Sequence, residues 1–334
     1  VSIADKIIHT GDTNTAIRFP AADTFTVETS GSERLRIDSG GRALFGTSTT
    51  PTAGNGQYAY IVAQGYPNTP QGAGHISLQR GQTAFGANNQ IGLINFGDST
   101  GASYAIIECY ADADSGSNDF PGRIVFSTTA DGAASPTERL RLDSSGRLLI
   151  GANSNTSVAG ESARLQVVGD TNDSSRVSII NNGNNSGGGG IQIAKARGAG
   201  GTIVQDNDEV GHIIFAAGDG TDFASISAQI SCEIDGTPGG NDVPGRLIFE
   251  TTADGGSSPT ERLRINSSGA LGVSGANFGS SGQVLTSNGS GSAVTWEDAS
   301  SGGITTTKYS PTANAIIQIG LGTAQHHELT LTAG

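Results

Sequence analysis

Methionine is absent from this chain of 334 residues, tryptophan occurs once, cysteine twice, and lysine only at Lys6, Lys195 and Lys308. Each shortage excludes something. With 18 basic against 31 acidic residues and a net charge of −13, no basic cluster is left to serve nucleic acid or an anionic membrane surface, and neither is expected as a partner. No apolar run approaches the ~20 residues that cross a bilayer, so no membrane insertion is expected. The first stretch, VSIADKIIHTGDTNT, has no apolar core of a secretory signal. The missing methionine implies a processed start or a piece of a longer chain. Aromatics are 5%, few for stacking on sugars.

Apolar side chains are also scarce. They make up 35% of the chain, and glycine supplies 51 residues, whereas a globular domain has about 45–50% apolar residues with glycine counted in, and about 7% glycine. Such a chain fills a compact core poorly by itself. Either it is partly disordered or it shares a core with other chains, and its short, regularly patterned β-segments favour sharing. No helical periodicity with caps runs through any window of about 11 residues.

What is present is a repeat. Residues 118–151, NDFPGRIVFSTTADGAASPTERLRLDSSGRLLIG, return at 241–274 as NDVPGRLIFETTADGGSSPTERLRINSSGALGVS, and a shorter copy, GSERLRIDSGGRALFG, lies at 31–46. A repeated unit implies a repeated architecture. Within it, Leu140 and Leu142 alternate with Arg139, Arg141 and Asp143, the period of a strand with one apolar and one charged face. Ser144, Ser145 and Gly146 follow, suiting a type I turn closed by a left-handed glycine in a bulged hairpin. Residues 123–129 read as a preceding strand, and the unit is a three-strand meander with one apolar face uncovered.

The repeat extends upstream. Residues 91–109 match 210–232, with a four-residue insertion in the second copy, and 59–65 resemble 164–170. Cys109 and Cys232 occupy equivalent places in the two copies, hence a module apart, whereas a disulfide needs Cα atoms within about 7 Å. They are expected as small buried apolar residues or as a pair formed between identical chains at an axis. The Gly-rich stretch 181–190 reads as a loop, and 282–298 as a hairpin around Asn288 and Gly289. The expected organisation is an N-terminal segment at 1–30, a short β-hairpin repeat at 31–49, long β-modules at 50–151 and 152–275, a hairpin and linker at 276–303, and the start of a further β-domain at 304–334.

The segments ERLRIDSGGRALFG, ERLRLDSSGRLLIG and ERLRINSSGALGV resemble a repeat of phage tail-fibre proteins, those of marine phages and cyanophages in particular. GQVLTSNGSGSAVTWED is similar to another fibre signature, and DKIIHTGDTNTAIRFP to the way many such fibres begin. Together these segments cover roughly a third of the chain. The resemblance implies an all-β, elongated homotrimeric fibre of repeated β-meander or β-prism modules, with parallel chains around a three-fold axis. It implies a structural virion component on the phage tail, assembled in the host cytoplasm. Residues 1–30 would attach it to tail, baseplate or adaptor proteins, and a host glycan or protein would be met further toward the C-terminus. It implies no catalytic residue and no cofactor.

Elementary packing agrees with a trimer. Three copies of one meander can close into a prism whose trimer core holds Leu35, Ile37, Leu140, Leu142, Leu263 and Ile265, each apolar face being covered by its two partners. The charged face carries Glu33, Arg34 and Arg36; Glu138, Arg139 and Arg141; Glu261, Arg262 and Arg264. Some of these arginines are expected to pair with carboxylates of a neighbouring chain; the alternative is a solvated charged face that contributes little.

Signatures of chemistry are sparse. No lysine follows a Walker-type glycine spacing, no Gly-x-Ser-x-Gly elbow has a matching base, and no Cys-x-x-Cys is present. No enzyme and no metal are expected. The acidic turns at 111–119 and 219–222 could offer oxygen ligands to calcium, but such turns more often face solvent. The adjacent His326 and His327 would point to opposite sides of a strand, and Trp296 is expected to pack at a module junction. The alternatives are a polysaccharide-degrading tailspike, which needs two carboxylates about 5–10 Å apart in a groove, a head (capsid) fibre, and a bacterial trimeric adhesin.

Overall fold

The structure, a computed structural model, describes residues 5–65 and 72–299. Every regular element among them is a β-strand except a short 3-10 turn at Asn55–Tyr58, so the all-β expectation holds. The chain divides into two compact units, Val1–Thr156 with Ala163–Ser178, and Ser157–Ser162 with Ile179–Gly334.

The first unit holds two six-stranded sheets. One comprises β1 (Lys6–His9), β2 (Asp12–Arg18), β3 (Phe25–Thr29), β4 (Ser32–Ile37), β5 (Ala43–Phe45) and β6 (Ile61–Ala63). The other comprises β7 (Gln90–Gly97), β8 (Ser103–Ala111), β9 (Gly122–Thr128), β10 (Thr137–Leu142), β11 (Leu148–Ile150) and β12 (Leu165–Val167). Both are meanders in chain order, antiparallel until the last strand, which adds in parallel. The second unit holds the five-stranded meander β13 (Glu209–Ala216), β14 (Ile226–Ile234), β15 (Gly245–Thr251), β16 (Thr260–Ile265) and β17 (Leu271–Val273), and the hairpin β18 (Gln283–Thr286) with β19 (Thr295–Asp298). The short repeat at 31–49 thus lies inside a sheet that begins at Lys6 and extends to Ala63, across the boundaries expected at 30 and 49. The expected hairpin at 282–298 is formed; residues 304–334, with His326 and His327, lie outside the described residues.

The three sheets share one register. Leu35 stands opposite Val27 and Phe45, Leu140 opposite Phe126 and Ile150, and Leu263 opposite Phe249 and Val273. The turns that follow are also shared. Asp143 Oδ1 accepts from the backbone of Ser145 at 3.0 Å and Arg147 at 2.9 Å, and Gly146 has φ 72°. Gly41 and Gly269 take the same left-handed place at φ 75° and 79°, as the sequence leads one to expect.

A β-bulge recurs at the same point in each sheet. Glu138 pairs with Ser127 but Leu140 with Phe126, so Arg139 is an extra residue. Arg34 and Arg262 are extra in the same way. In an unbroken strand, residues three apart face opposite sides. The inserted arginine cancels that and brings Glu138 to the face of Arg141.

The parallel last strand explains a glycine. Forming a parallel pair takes a crossover over one face of the sheet. Gln166, opposite Leu149 in register, holds the crossover down through Asn155 Oδ1 at 2.7 Å and the Thr156 carbonyl at 3.0 Å. Leu149, and its counterpart Leu44 in the first sheet, are accordingly buried to 1% and 0% exposure. Gly46 and Gly151, just after β5 and β11, have φ 74° and 75°, and a Cβ there would run into the carbonyl oxygens of Gln64 and Val168 beside the parallel strand. Among the described residues the third sheet has five strands and no sixth. Its counterpart is Ser274, at φ 52°. Gly272 replaces the buried leucine there, and a Cβ on it would lie 3.0 Å from Phe278 Cε1 and 2.8 Å from Arg264 Cγ. The aromatic ring supplies the cover that the crossover supplies elsewhere.

Candidate assembly face

Strands in these sheets make their substantial contacts only with hydrogen-bonded neighbours. Among the described residues, Ile94, Phe126 and Leu142 on one face of the second sheet keep 50%, 39% and 43% of their surface exposed. The crossovers and their ion pairs cover the polar face; the apolar face has no comparable cover.

Register assembles that apolar face row by row, since opposed residues share a side. In the second sheet one row runs Ile94, Ile107, Phe126, Leu140, Ile150 and Val167. The next runs Gly92, Cys109, Ile124, Leu142, Leu148 and Leu165. In the third sheet Ile213, Ile230, Phe249, Leu263 and Val273 form one row, and Gly211, Cys232, Leu247, Ile265 and Leu271 the other. The first sheet brings Leu35 and Ile37 beside Val27, Phe25, Phe45 and Ala43. All six residues named from the sequence as a core therefore lie on this face. They are only half-buried or exposed: Leu142 keeps 43% of its surface and Ile265 37%, and beside them Phe126 keeps 39% and Ile94 50%. Sequence reasoning extended the repeat to 91–109 and 210–232 but named no core residue there, although IGLINF at 91–96 and VGHIIF at 210–215 carried apolar residues for this face.

Cys109 and Cys232 sit within the apolar rows, half-buried and free. Each faces a glycine, Gly92 or Gly211, on the first strand of its sheet.

The polar face is closed by ion pairs within the chain. Arg36 donates Nε and Nη2 to the two oxygens of Glu33, both at 2.7 Å. Arg141 holds Glu138, and Arg264 holds Glu261, in the same fork. These hydrogen bonds raise the pKa of all three arginines despite partial burial. The bulged Arg34, Arg139 and Arg262 instead donate Nε to the hydroxyls of Thr29, Thr128 and Thr251 at 2.9 to 3.0 Å. The arginines expected to reach another chain thus all have partners in their own. Deeper in the polar face, Arg123 bridges Asp112 and Asn88, while Asp112 accepts from the Ser144 backbone and hydroxyl. Arg246, Asp235, Asn207 and Ser267 repeat this knot in the third sheet.

A cleft of about 420 Å³ is lined by Glu138, Thr156, Val168 and residues 151–154. Its one carboxylate is the one held by Arg141. In the acidic turns, Asp114 accepts from the Ala87 backbone, and Asp219 from Thr221 and Ser225. Among the described residues no three His, Cys, Asp or Glu side chains converge as a metal site, and no helix is long and apolar enough to cross a membrane. Trp296 donates Nε1 to the Asn277 carbonyl at 3.1 Å and its ring lies against Gly279, joining the hairpin to the turn that follows β17.

Neither a known protein family nor a curated protein matches the sequence. Among solved structures, the chain is similar to the carboxy-terminal domain of the bacteriophage T5 L-shaped tail fibre, at 17% identity and a TM-score of 0.54, over 72% of this chain and 99% of that one. It is also similar to the same domain with its intra-molecular chaperone domain, at 16% identity and a TM-score of 0.49, over 74% and 68% of the two chains. At this identity the first likeness speaks for the fold: a series of antiparallel β-sheets of the kind found in that tail fibre.

Proposed function

We propose that this chain forms the shaft of a homotrimeric phage tail fibre, a structural part of the virion. The observation that carries the reading is the open apolar face repeated in the three larger sheets. A monomer would expose a contiguous apolar patch of a size soluble monomers rarely tolerate. Three copies around an axis bury it, since each prism side is then covered by two partners. The ERLR-type repeats, akin to marine-phage and cyanophage fibres, and the fold shared with the T5 tail-fibre domain support the same reading. The N-terminal segment docks on the tail or its adaptor proteins, and host recognition lies further toward the C-terminus. A polysaccharide-degrading tailspike is the alternative reading, and release of new reducing ends from host polysaccharide would favour it.

The test is immunogold labelling of virions with antibodies to residues 118–151. Gold along a tail appendage is the expected result. Gold on the head would make this a capsid fibre, and unlabelled virions would remove the structural role.

A further inference from the structure

Between its sheets the chain carries strand sequences that its own sheets leave unpaired. Residues 75–79, His-Ile-Ser-Leu-Gln, and 191–195, Ile-Gln-Ile-Ala-Lys, alternate apolar with polar or small side chains. That is the period of a strand, yet among the described residues neither joins a ladder. Ile76 and Ile191 are 77% and 80% exposed.

Both segments are seated the same way. β7 and β13 are the edge strands of their sheets. On each, a glycine of the apolar face receives one side chain from the upstream segment. A Cβ on Gly92 would lie 2.8 Å from Leu78 Cβ, and a Cβ on Gly211 would collide with Ile193 Cγ2. The two segments differ in sequence, and the seat is kept. The arrangement is therefore a built feature of the module.

Their side chains thus lie against the face that trimerisation buries. Backbone N–H and C=O groups taken out of water need partners, and the chain's own sheets provide none. The same pairing is called for twice, once in each unit, so whatever supplies it must itself offer the matching strand twice. A second copy of this chain does so. Resting on the trimeric reading above, we propose that residues 75–79 and 191–195 are inter-chain strands, completed by backbone pairing with the neighbouring copy. The fibre is then interlaced by β-ladders as well as packed by apolar faces.

Hydrogen exchange read by mass spectrometry tests this on full-length particles whose mass has first been established. In a trimer, amides of 75–79 and 191–195 should exchange at least ~100-fold more slowly than those of the loop at 183–190, as paired strands do relative to open loops. Loop-like exchange in a proven trimer overturns the inter-chain strands and leaves the trimer standing; a particle that is not a trimer removes both. A photo-crosslinking side chain in place of Gln192, in trimers mixed from ¹⁴N and ¹⁵N chains, separates the source of protection. Cross-links between light and heavy chains are expected, and cross-links confined to single chains would overturn the proposal.

Discussion

Gly151 has a left-handed backbone and a Cβ-sized space already taken by the Val168 carbonyl. Substitution by alanine therefore adds backbone strain and a collision. Gly151→Ala should cost about 1–3 kcal/mol, read as a lower denaturation midpoint, and Gly46→Ala should do the same. Ser274→Ala, with no parallel strand beside it, should change little. The turn aspartates give a pH dependence. Asp38 is drawn down to about 2 by the Arg42 backbone N–H, with Thr50, the Arg42 guanidinium and Gly40 adding to it. Asp143 is also lowered, because Arg147 and Ser145 outweigh its burial. A folded pKa below the unfolded one stabilises at pH above the unfolded value, about 3.9, and that stabilisation is lost as pH falls. Stability should therefore decline from about pH 4 toward pH 2. Asp38→Asn with Asp143→Asn should flatten that decline in urea titrations at pH 7, 4 and 3. Asn266 shows that asparagine keeps the turn, accepting from Ser268 and Ala270 through Oδ1.

At the scale of the element, the bulge decides which faces the charges take. Deleting Arg139 removes the extra residue: Glu138 then directly precedes Leu140, stays opposite Ser127 on the polar face two residues from Arg141, and only the bulge and its Nε bond to Thr128 are lost. The deletion should leave assembly intact, seen as retention of the assembled peak in size-exclusion chromatography; loss of that peak would show that the bulge itself is needed. Much of this level was legible in the sequence. Alternation at Leu140 and Leu142, the Ser-Ser-Gly turn and the upstream strand led to the meander and its apolar face. The Glu138–Arg141 pair was not legible, because a spacing of three predicts opposite faces unless a bulge intervenes. The parallel strands were not legible either. Their crossovers, at 47–60 and 151–164, are polar stretches without periodicity, and only the glycine at 46 or 151 betrays the close approach.

For the whole molecule, sequence composition pointed to a shared core before any strand was placed, and the sheets show why. Leu44 and Leu149 are buried by the chain's own crossovers, while Ile94, Phe126 and Leu142 wait on the opposite face. Folding and assembly should therefore be one event. Phe126→Asp sets a charge in the middle of the second sheet's apolar face, where an unpaired buried charge costs several kcal/mol. It should yield soluble aggregates or unfolded chains and no stable trimer, as judged by circular dichroism and mass together. The decisive measurement is the molar mass of the folded wild-type protein by light scattering across a dilution series. Three chains per particle at every concentration at which the far-UV spectrum remains β-rich is the expected result. A folded, stable monomer with its apolar faces open to water would contradict it.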